Sequence, residues 1–389
     1  MIHLTSPNPN VELHLSDGRI LSGPRGTQVG EFLRAVKDDF SAPIVAAILN
    51  NEIHELTYPI ERESDCAPVT MDRADGARIY RRSLIFLLEI AFAELFPKGK
   101  LTIDHSVSSG GFYCQVTERE ALTQKELDAL KTHMEKIVAE DQAFERKQIP
   151  IQEAIQYFEK LGYSDKVRLF SHRQKDYLTL YSLNGRMDYL HGYMVPSTGY
   201  LRWFDLNCID GGFTLQFPRR HAPTHLEPMG DYPKLLNTFR QYGDWLTRLA
   251  IDNVGALNDA IVAGRADELI MVSEALHEQH VADIAQQIAQ KNSRIILIAG
   301  PSSSGKTTTS RRLAIQLLAR GISPYPLELD NYFIDRSKTP LDEEGKPDFE
   351  ALEALDLNRL AQDIEKLLRG EKVQLPRYNF KSGLSEMGD

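Results

Sequence analysis

The chain has little of what several protein classes depend on. Three cysteines, Cys66, Cys114 and Cys208, occur in 389 residues; widely spaced and odd in number, they support neither a disulfide framework nor a compact cysteine-based zinc site. A reducing cytoplasm is the expected compartment. Positive charge is short too: 45 Lys and Arg stand against 55 Asp and Glu, a net charge of −10. That balance removes any general pull toward nucleic acid or anionic lipid and leaves RNA contact to a local basic patch. No apolar run approaches the roughly 20 residues that a bilayer-spanning helix needs. The start, "MIHLTSPNPNVELHL", has no basic stretch followed by an apolar one, so neither a membrane span nor a secretory leader is expected. Internal repeats and long low-complexity segments are missing as well. What is present, 42% hydrophobic and 26% charged residues, suits two or three globular domains.

Along the chain the apolar period changes several times. From Val11 to about Thr57 a short alternating strand, "VELHLSDGRILSG" with Asp17-Gly18 at its turn, precedes an amphipathic helix and a strand read through "IVAAILNNEIHEL". A strong helix signal, "ARIYRRSLIFLLEIAFAELFP", stops at Pro97, and a strand-rich stretch broken by "SSGG" at Ser108 to Gly111 follows it. "TQKELDALKTHMEKIVAEDQAF" and "IQEAIQYFEKLG" have helical spacing, the first with a Thr ahead of it. Leu178 to Phe217 reads as strands. One α+β domain from roughly 70 to 218 accommodates these elements. Asp231 to Gln290 is helical nearly throughout and ends at "KNS", where the continuous apolar run "IILIAG" begins.

That run leads into the strongest chemical signal. Gly300, Gly305, Lys306 and Thr307 have the spacing G-x-x-x-x-G-K-[ST], with an apolar strand expected before them and the helix "TTTSRRLAIQLLA" after. Glycines let successive N–H groups converge on phosphate oxygens, and the helix N-terminus adds partial positive charge. The expected nucleotide-binding set is Gly300, Ser302, Ser303, Ser304, Gly305, Lys306, Thr307 and Thr308. Lys306 would neutralise the β and γ phosphates and Thr307 would ligate Mg²⁺. A second apolar strand, "YPLELD", is expected to end at Asp330 on the same sheet edge. Its carboxylate suits proton abstraction from an attacking hydroxyl or help with the metal; a turn or capping aspartate reads equally well from sequence.

The strings "GPSSSGKTT", "LELDNYFIDR", "TPLDEEGKPDFEALEALDL" and "LLRGEKVQLPRYNF" together resemble the uridine kinase and phosphoribulokinase branch of P-loop kinases, from Arg294 to about Gly383. The resemblance implies ATP and Mg²⁺ as cofactors, Asp330 as catalytic aspartate beside Lys306, and Tyr332, Asp348, Phe349 and Tyr378 as the lining of a nucleoside pocket. Core packing remains the alternative for the three aromatics, and capping of a helix "FEALEAL" for Asp348. "YNFKSG" departs from the family's usual Tyr-Asp-Phe followed by a histidine, which leaves uridine specificity open. The family's kinase domain continues with another core strand, a lid and arginines, so 291–389 is expected to be a C-terminally incomplete α/β P-loop domain with a parallel sheet.

The front also resembles known modules. "SDGRILSGPRGTQVGEFL" resembles the TGS domain, a small ubiquitin-like β-grasp module. "IYRRSLIFLLEIAFAELFP", "DHSVSSGGFYCQV" and "VPSTG" resemble the second additional, editing domain of threonyl- and alanyl-tRNA synthetases. Those editing domains bind a metal through two helical histidines and a later Cys and His; here the matching positions are Arg82, Phe86, Leu190 and Met194, so neither a metal there nor editing hydrolysis is expected. His105, His191, His221, His225, His277 and His280 read as ordinary surface or core histidines. The resulting layout is 1–68 TGS-like, 69–218 editing-like, 219–290 a helical connector and 291–389 kinase-like. The expected activity is transfer of the ATP γ-phosphate to a nucleoside or similar small hydroxyl compound. The alternative is a nucleotide-binding regulatory module whose front domains hold RNA or a translation partner. Oligomeric state, a homo-oligomer included, is open.

Overall fold

The computed structural model describes residues 8–107, 110–209, 211–230, 233–301, 303–341 and 345–388. The chain divides into two compact units, Met1–Ala263 and Gly264–Asp389, so that the division falls inside the helical stretch read as one connector.

In the first unit, β1 (Asn10–Leu15) and β2 (Ile20–Pro24) form a hairpin, α1 (Val29–Leu33) follows, and β3 (Ile44–Leu49), β4 (Glu52–Glu55) and β5 (Ser64–Thr70) complete one sheet. Its order is β2-β1-β5-β3-β4, mixed because β1 and β5 run parallel while the other pairs are antiparallel. Gly18 closes the first hairpin at φ 87°, a left-handed turn position that glycine takes without steric cost. The single strand read through "IVAAILNNEIHEL" is instead a second hairpin. Asn50 and Asn51 both have positive φ, 49° and 69°, which is the type I′ geometry that matches strand twist and that Asn tolerates.

The strand β3 is apolar throughout because it serves two cores. Ile44, Ala47 and Leu49 pack with Val11, Leu13, Val29, Phe32 and Leu33 around α1, whereas Val45 and Ala46 pack with the next helix, α2 (Ala74–Leu95). That helix approaches so closely that a Cβ on Gly76 would lie 2.0 Å from the Thr70 carbonyl oxygen. Against it lies the sheet β11-β12-β7-β6, made of β6 (Lys100–Val107), β7 (Gly111–Thr117), β11 (Asp205–Ile209) and β12 (Gly212–Gln216). The helix α3 (Gln124–Ala139) starts from a capping box in which Thr123 and Glu126 satisfy each other's backbone N–H. A smaller core gathers α4 (Ile151–Lys160) and α5 (Ser164–Ser171) on the sheet of β8 (Glu145–Pro150), β9 (Tyr177–Leu183) and β10 (Arg186–Asp188), with Phe158 and Phe170 at its centre. Two further helices, α6 (Pro233–Arg248) and α7 (Val254–Val262), close the unit.

The second unit is built differently. The 26-residue α8 (Ala266–Lys291) ends on Asn292 in the left-handed region, φ 49°, at the "KNS" boundary. It packs on α9 (Lys306–Leu318) through Val281, Ala285, Leu313 and Leu317. The remainder is α10 (Leu357–Leu368), the antiparallel hairpin β13 (Pro376–Asn379) and β14 (Leu384–Met387), and 3-10 turns. The parallel sheet expected here does not form among the described residues. Residues 294–300 and 323–328 have no strand assignment, and Leu297 stays 84% exposed. Parallel strands are stable when paired on their edges and covered on both faces, and no third described strand of this unit flanks either run. The alternative helix "FEALEAL" is likewise reduced to a 3-10 turn, Leu352–Ala354. No helix among the described residues is long and apolar enough to cross a membrane.

Candidate functional site

The motif loop sits where the chain enters α9. Gly305 occupies the N-cap at φ 85° and supplies no side chain to the first turn, so the amides that a helix start leaves without partners are not claimed by a cap. Ser303 also has positive φ, 59°. At Gly300 a Cβ would come within 2.8 Å of Ser304 Oγ, while the space beside Gly305 is open. The Lys306 ammonium folds back on its own loop, donating to the carbonyl oxygens of Gly300 at 2.8 Å and Pro301 at 3.0 Å. Thr307 and Thr308 are exposed on the first turn. Ser302, also expected in the set, lies outside the described residues.

This donor set fits a polyphosphate with a magnesium ion. It offers unclaimed helix-start amides, a cation on a flexible stem and two exposed hydroxyls. The two lysine-carbonyl bonds are exposed, and water replaces such bonds at little net cost, so Lys306 is free to turn to an anion.

The residues expected beside the phosphates are distributed over two places. Asp330 lies exposed in the 3-10 turn Leu329–Tyr332. Its neighbour Tyr332 is buried, and its hydroxyl donates to Asp363 Oδ2 of α10 at 3.1 Å. Burial, then the Asp363 charge, holds the Tyr332 phenol well above its ordinary pKa. Phe349 and Tyr378 come together, 6.2 Å between ring centroids, around Phe333, which meets them at 5.1 and 5.5 Å. Among the described residues the buried Tyr378 hydroxyl has no hydrogen-bond partner. Asp348 uses Oδ1 to accept from the Glu350 amide at 2.9 Å. No hydrogen bond, ion pair or ring contact among the described residues joins Asp330, Tyr332, Asp348, Phe349 or Tyr378 to the phosphate loop. Sequence reasoning missed Phe333, Phe380 and Asp363. The first two sit in strings already singled out, "NYFIDR" and "YNF", and Phe380 packs on Tyr378 at 5.0 Å; Asp363 has no local signal, since its partner is 31 residues away.

In the first unit the four positions that match editing-domain ligands lie in or beside one apolar core. Arg82 donates to the Tyr193 carbonyl at 2.5 Å, Phe86 lies 6.0 Å from the Phe144 ring, and Met194 is buried in the same core, with Leu190 packed on it. Glu55 fills the polar side: it accepts from the Tyr181 hydroxyl and, at 3.2 Å, from the Met194 amide. No group of three or more His, Cys, Asp or Glu placed to hold a metal occurs among the described residues. Of the histidines, His277 accepts from Arg312 at 3.1 Å and His105 stacks on Phe239 at 4.0 Å.

The motif and its helix resemble those of nucleotide-binding P-loop proteins. Residues 295–387 match the model of the Phosphoribulokinase / Uridine kinase family. The N-terminal region is similar to threonine–tRNA ligases. That of Acidovorax sp. (strain JS42) is 30% identical over 214 residues, 55% of this chain and 32% of the ligase. That of Desulforamulus reducens is 28% identical over 204 residues, 52% of this chain and 32% of the ligase. The chain thus spans about a third of the length of the curated relatives it matches, and it joins a phosphoribulokinase/uridine kinase segment to a threonine–tRNA ligase-like region.

Proposed function

We propose that the chain carries an ATP-dependent phosphotransferase module acting on the hydroxyl of a nucleoside or similar small compound. The observation that carries this reading is the Gly300-to-Thr307 spacing at the uncapped start of α9, inside a segment that matches a kinase family. In this reading the amides of Gly300, Ser303, Ser304 and Gly305 hold phosphate oxygens, with Lys306 adding charge and Thr307 and Thr308 flanking the metal. Bound Mg²⁺ would neutralise charge that develops on the phosphates. Asp330, exposed and without an ion-pair partner among the described residues, takes the proton of the acceptor hydroxyl as the hydroxyl oxygen bonds to the γ-phosphorus and the bond to ADP breaks. Tyr332, Asp348, Phe349 and Tyr378 line the acceptor side. The front of the chain supplies a β-grasp TGS-like module at 1–68, supported by the β2-β1-β5-β3-β4 order with its parallel β1–β5 pair. An editing-like domain at 69–218, a connector at 219–290 and a kinase-like part at 291–389 follow, in a cytoplasmic protein.

Calorimetry and phosphate transfer from labelled ATP to a nucleoside panel test this. Lys306→Ala should weaken ATP binding at least tenfold, and Asp330→Asn should keep binding while losing about 100-fold or more in turnover. Folded protein that takes up neither ATP nor ADP would falsify the reading. The likeness to threonine–tRNA ligases over half the chain favours a second reading, a nucleotide-responsive module that grips RNA. Tight, salt-sensitive retention of tRNA on filters, with no acceptor phosphorylated, would select it.

A further inference from the structure

A cavity of about 710 Å³ opens in the first unit between the start of α2, the β6–β7 hairpin and the segment after β12. Its volume suits a small organic ligand. Cations converge on it although the chain as a whole is acidic: Arg81 from α2, and Arg219, Arg220 and His221 from the segment after β12.

The wall is built rather than loose. Glu227 pairs with Arg219 at 3.2 Å and His221 at 2.5 Å, fixing both. Gly110, at φ 88°, lets Arg219 pass so closely that a Cβ there would lie 3.3 Å from its Cγ. Phe217 forms a buried aromatic wall, braced by Phe112 at 5.0 Å, and the Arg81 guanidinium lies over its ring at 5.4 Å. Among the described residues Arg81 otherwise donates only its Nε, to Ala77 of its own helix at 3.1 Å. Neither Arg81 nor Arg220 has a carboxylate at ion-pair distance among the described residues.

Burial, and after it the charges of Arg78 and Arg220, lowers the pKa of Arg81. An anion placed between Arg81 and Arg220 reverses both terms, because it replaces lost hydration with charge-assisted hydrogen bonds from planar forks that match phosphate. The one lining carboxylate, Asp72, is already engaged by the Thr70 hydroxyl. A phosphate alone leaves the aromatic side of so large a space empty.

We propose that this cavity is a binding site for a phosphomonoester with an organic body of nucleotide size, its phosphate held by Arg81 and Arg220 and its body resting against Phe217. The site is separate from the phosphate loop at Lys306 and does not depend on kinase activity.

Calorimetry on full-length Lys306→Ala protein, in which the other phosphate site is disabled, tests it with adenosine 5′-monophosphate, adenosine and 5′-phosphorylated triadenylate. Binding of a phosphorylated probe but not adenosine is expected, weakened at least tenfold by Arg81→Gln and by Arg220→Gln at an unchanged melting temperature. Tighter uptake of the trinucleotide assigns the phosphate to an RNA end, tighter uptake of the monophosphate to a free nucleotide; either supports the site. Should Arg81→Gln misfold, the exposed Arg220 decides. No uptake of either phosphorylated probe by folded Lys306→Ala protein, or uptake unchanged in Arg220→Gln, overturns the proposal.

Discussion

Two apolar runs of the same character meet opposite fates in this chain. "IVAAIL", the strand β3, is central in a five-stranded sheet and feeds side chains to a core on each face. "IILIAG", ahead of the phosphate loop, carries as much apolar surface and lies uncovered. The difference is in the partners. Burial of an apolar side chain contributes roughly 25 cal/mol per Å², but a strand gains it only when neighbours take its N–H and C=O groups as well. Both neighbours of β3 come from the same 70 residues, whereas the described part of the second unit supplies none to 295–299.

The sharpest way to break this comparison is to put a charge in each run. Val45 has no exposed surface, so Val45→Asp strands a carboxylate between β3 and α2 and should cost at least about 3 kcal/mol. Leu297→Asp, at an exposed position, should change stability by no more than about 0.5 kcal/mol. Denaturant titration of both variants measures the contrast. Similar losses in the two would mean that 295–299 is covered after all.

Local signals were legible and long-range pairing was not. Thr123 ahead of an amphipathic run announced α3, and the capping box with Glu126 is in place, since every group involved lies within four residues. Asp17-Gly18 announced the first hairpin for the same reason. Asn50-Asn51 carries an equally local turn signal, yet the apolar residues on either side mask it, so that the run has the pattern of one strand. The phosphate loop was readable because its glycine spacing, its lysine and the helix behind it are contiguous. Its setting was not: a continuous apolar run states that burial would be favourable, not that a partner exists. The meeting of Phe333, Phe349, Tyr378 and Phe380 is invisible for a related reason, because the four come from separate turns and a hairpin with no shared period.

A second contrast is electrostatic and belongs to the first unit. Glu89 projects from α2 toward Asp188, which holds Lys166 through both carboxylate oxygens at 2.5 Å; the buried Glu89 Oε2 has no hydrogen-bond partner among the described residues. Burial, then the Asp188 charge, pushes the Glu89 pKa up to about 8. An acid whose folded pKa lies above its unfolded value, near 4.5, favours folding while protonated. That contribution is complete below about pH 4.5 and is lost as pH rises through 8. The wild-type melting temperature should therefore fall between pH 6 and pH 9, and Glu89→Gln, permanently neutral, should fall less, by a margin on the order of a few kcal/mol at pH 9. Parallel curves for the two proteins would show that Asp188 and Lys166 already compensate the charge.

The smallest effect sharpens the account of the second unit, whose exposed apolar runs leave it dependent on polar anchors. Tyr332 is the plainest: its ring is buried and its hydroxyl ties the turn carrying Asp330 to Asp363 of α10. Asp363 also has the Arg359 guanidinium at 3.7 Å, so Tyr332→Phe removes a donor without leaving the carboxylate wholly uncompensated. A loss of about 1 kcal/mol is expected, the usual net value of one such bond or slightly more because the acceptor is charged. Amide exchange along α10 should quicken with it, since that helix presents a strongly amphipathic face and meets the turn through this bond. A change below about 0.3 kcal/mol with α10 exchange unaltered would mean that ring packing and the backbone bond from the Asp356 amide to the Tyr332 carbonyl, 2.8 Å long, position the turn without help from the tyrosine hydroxyl.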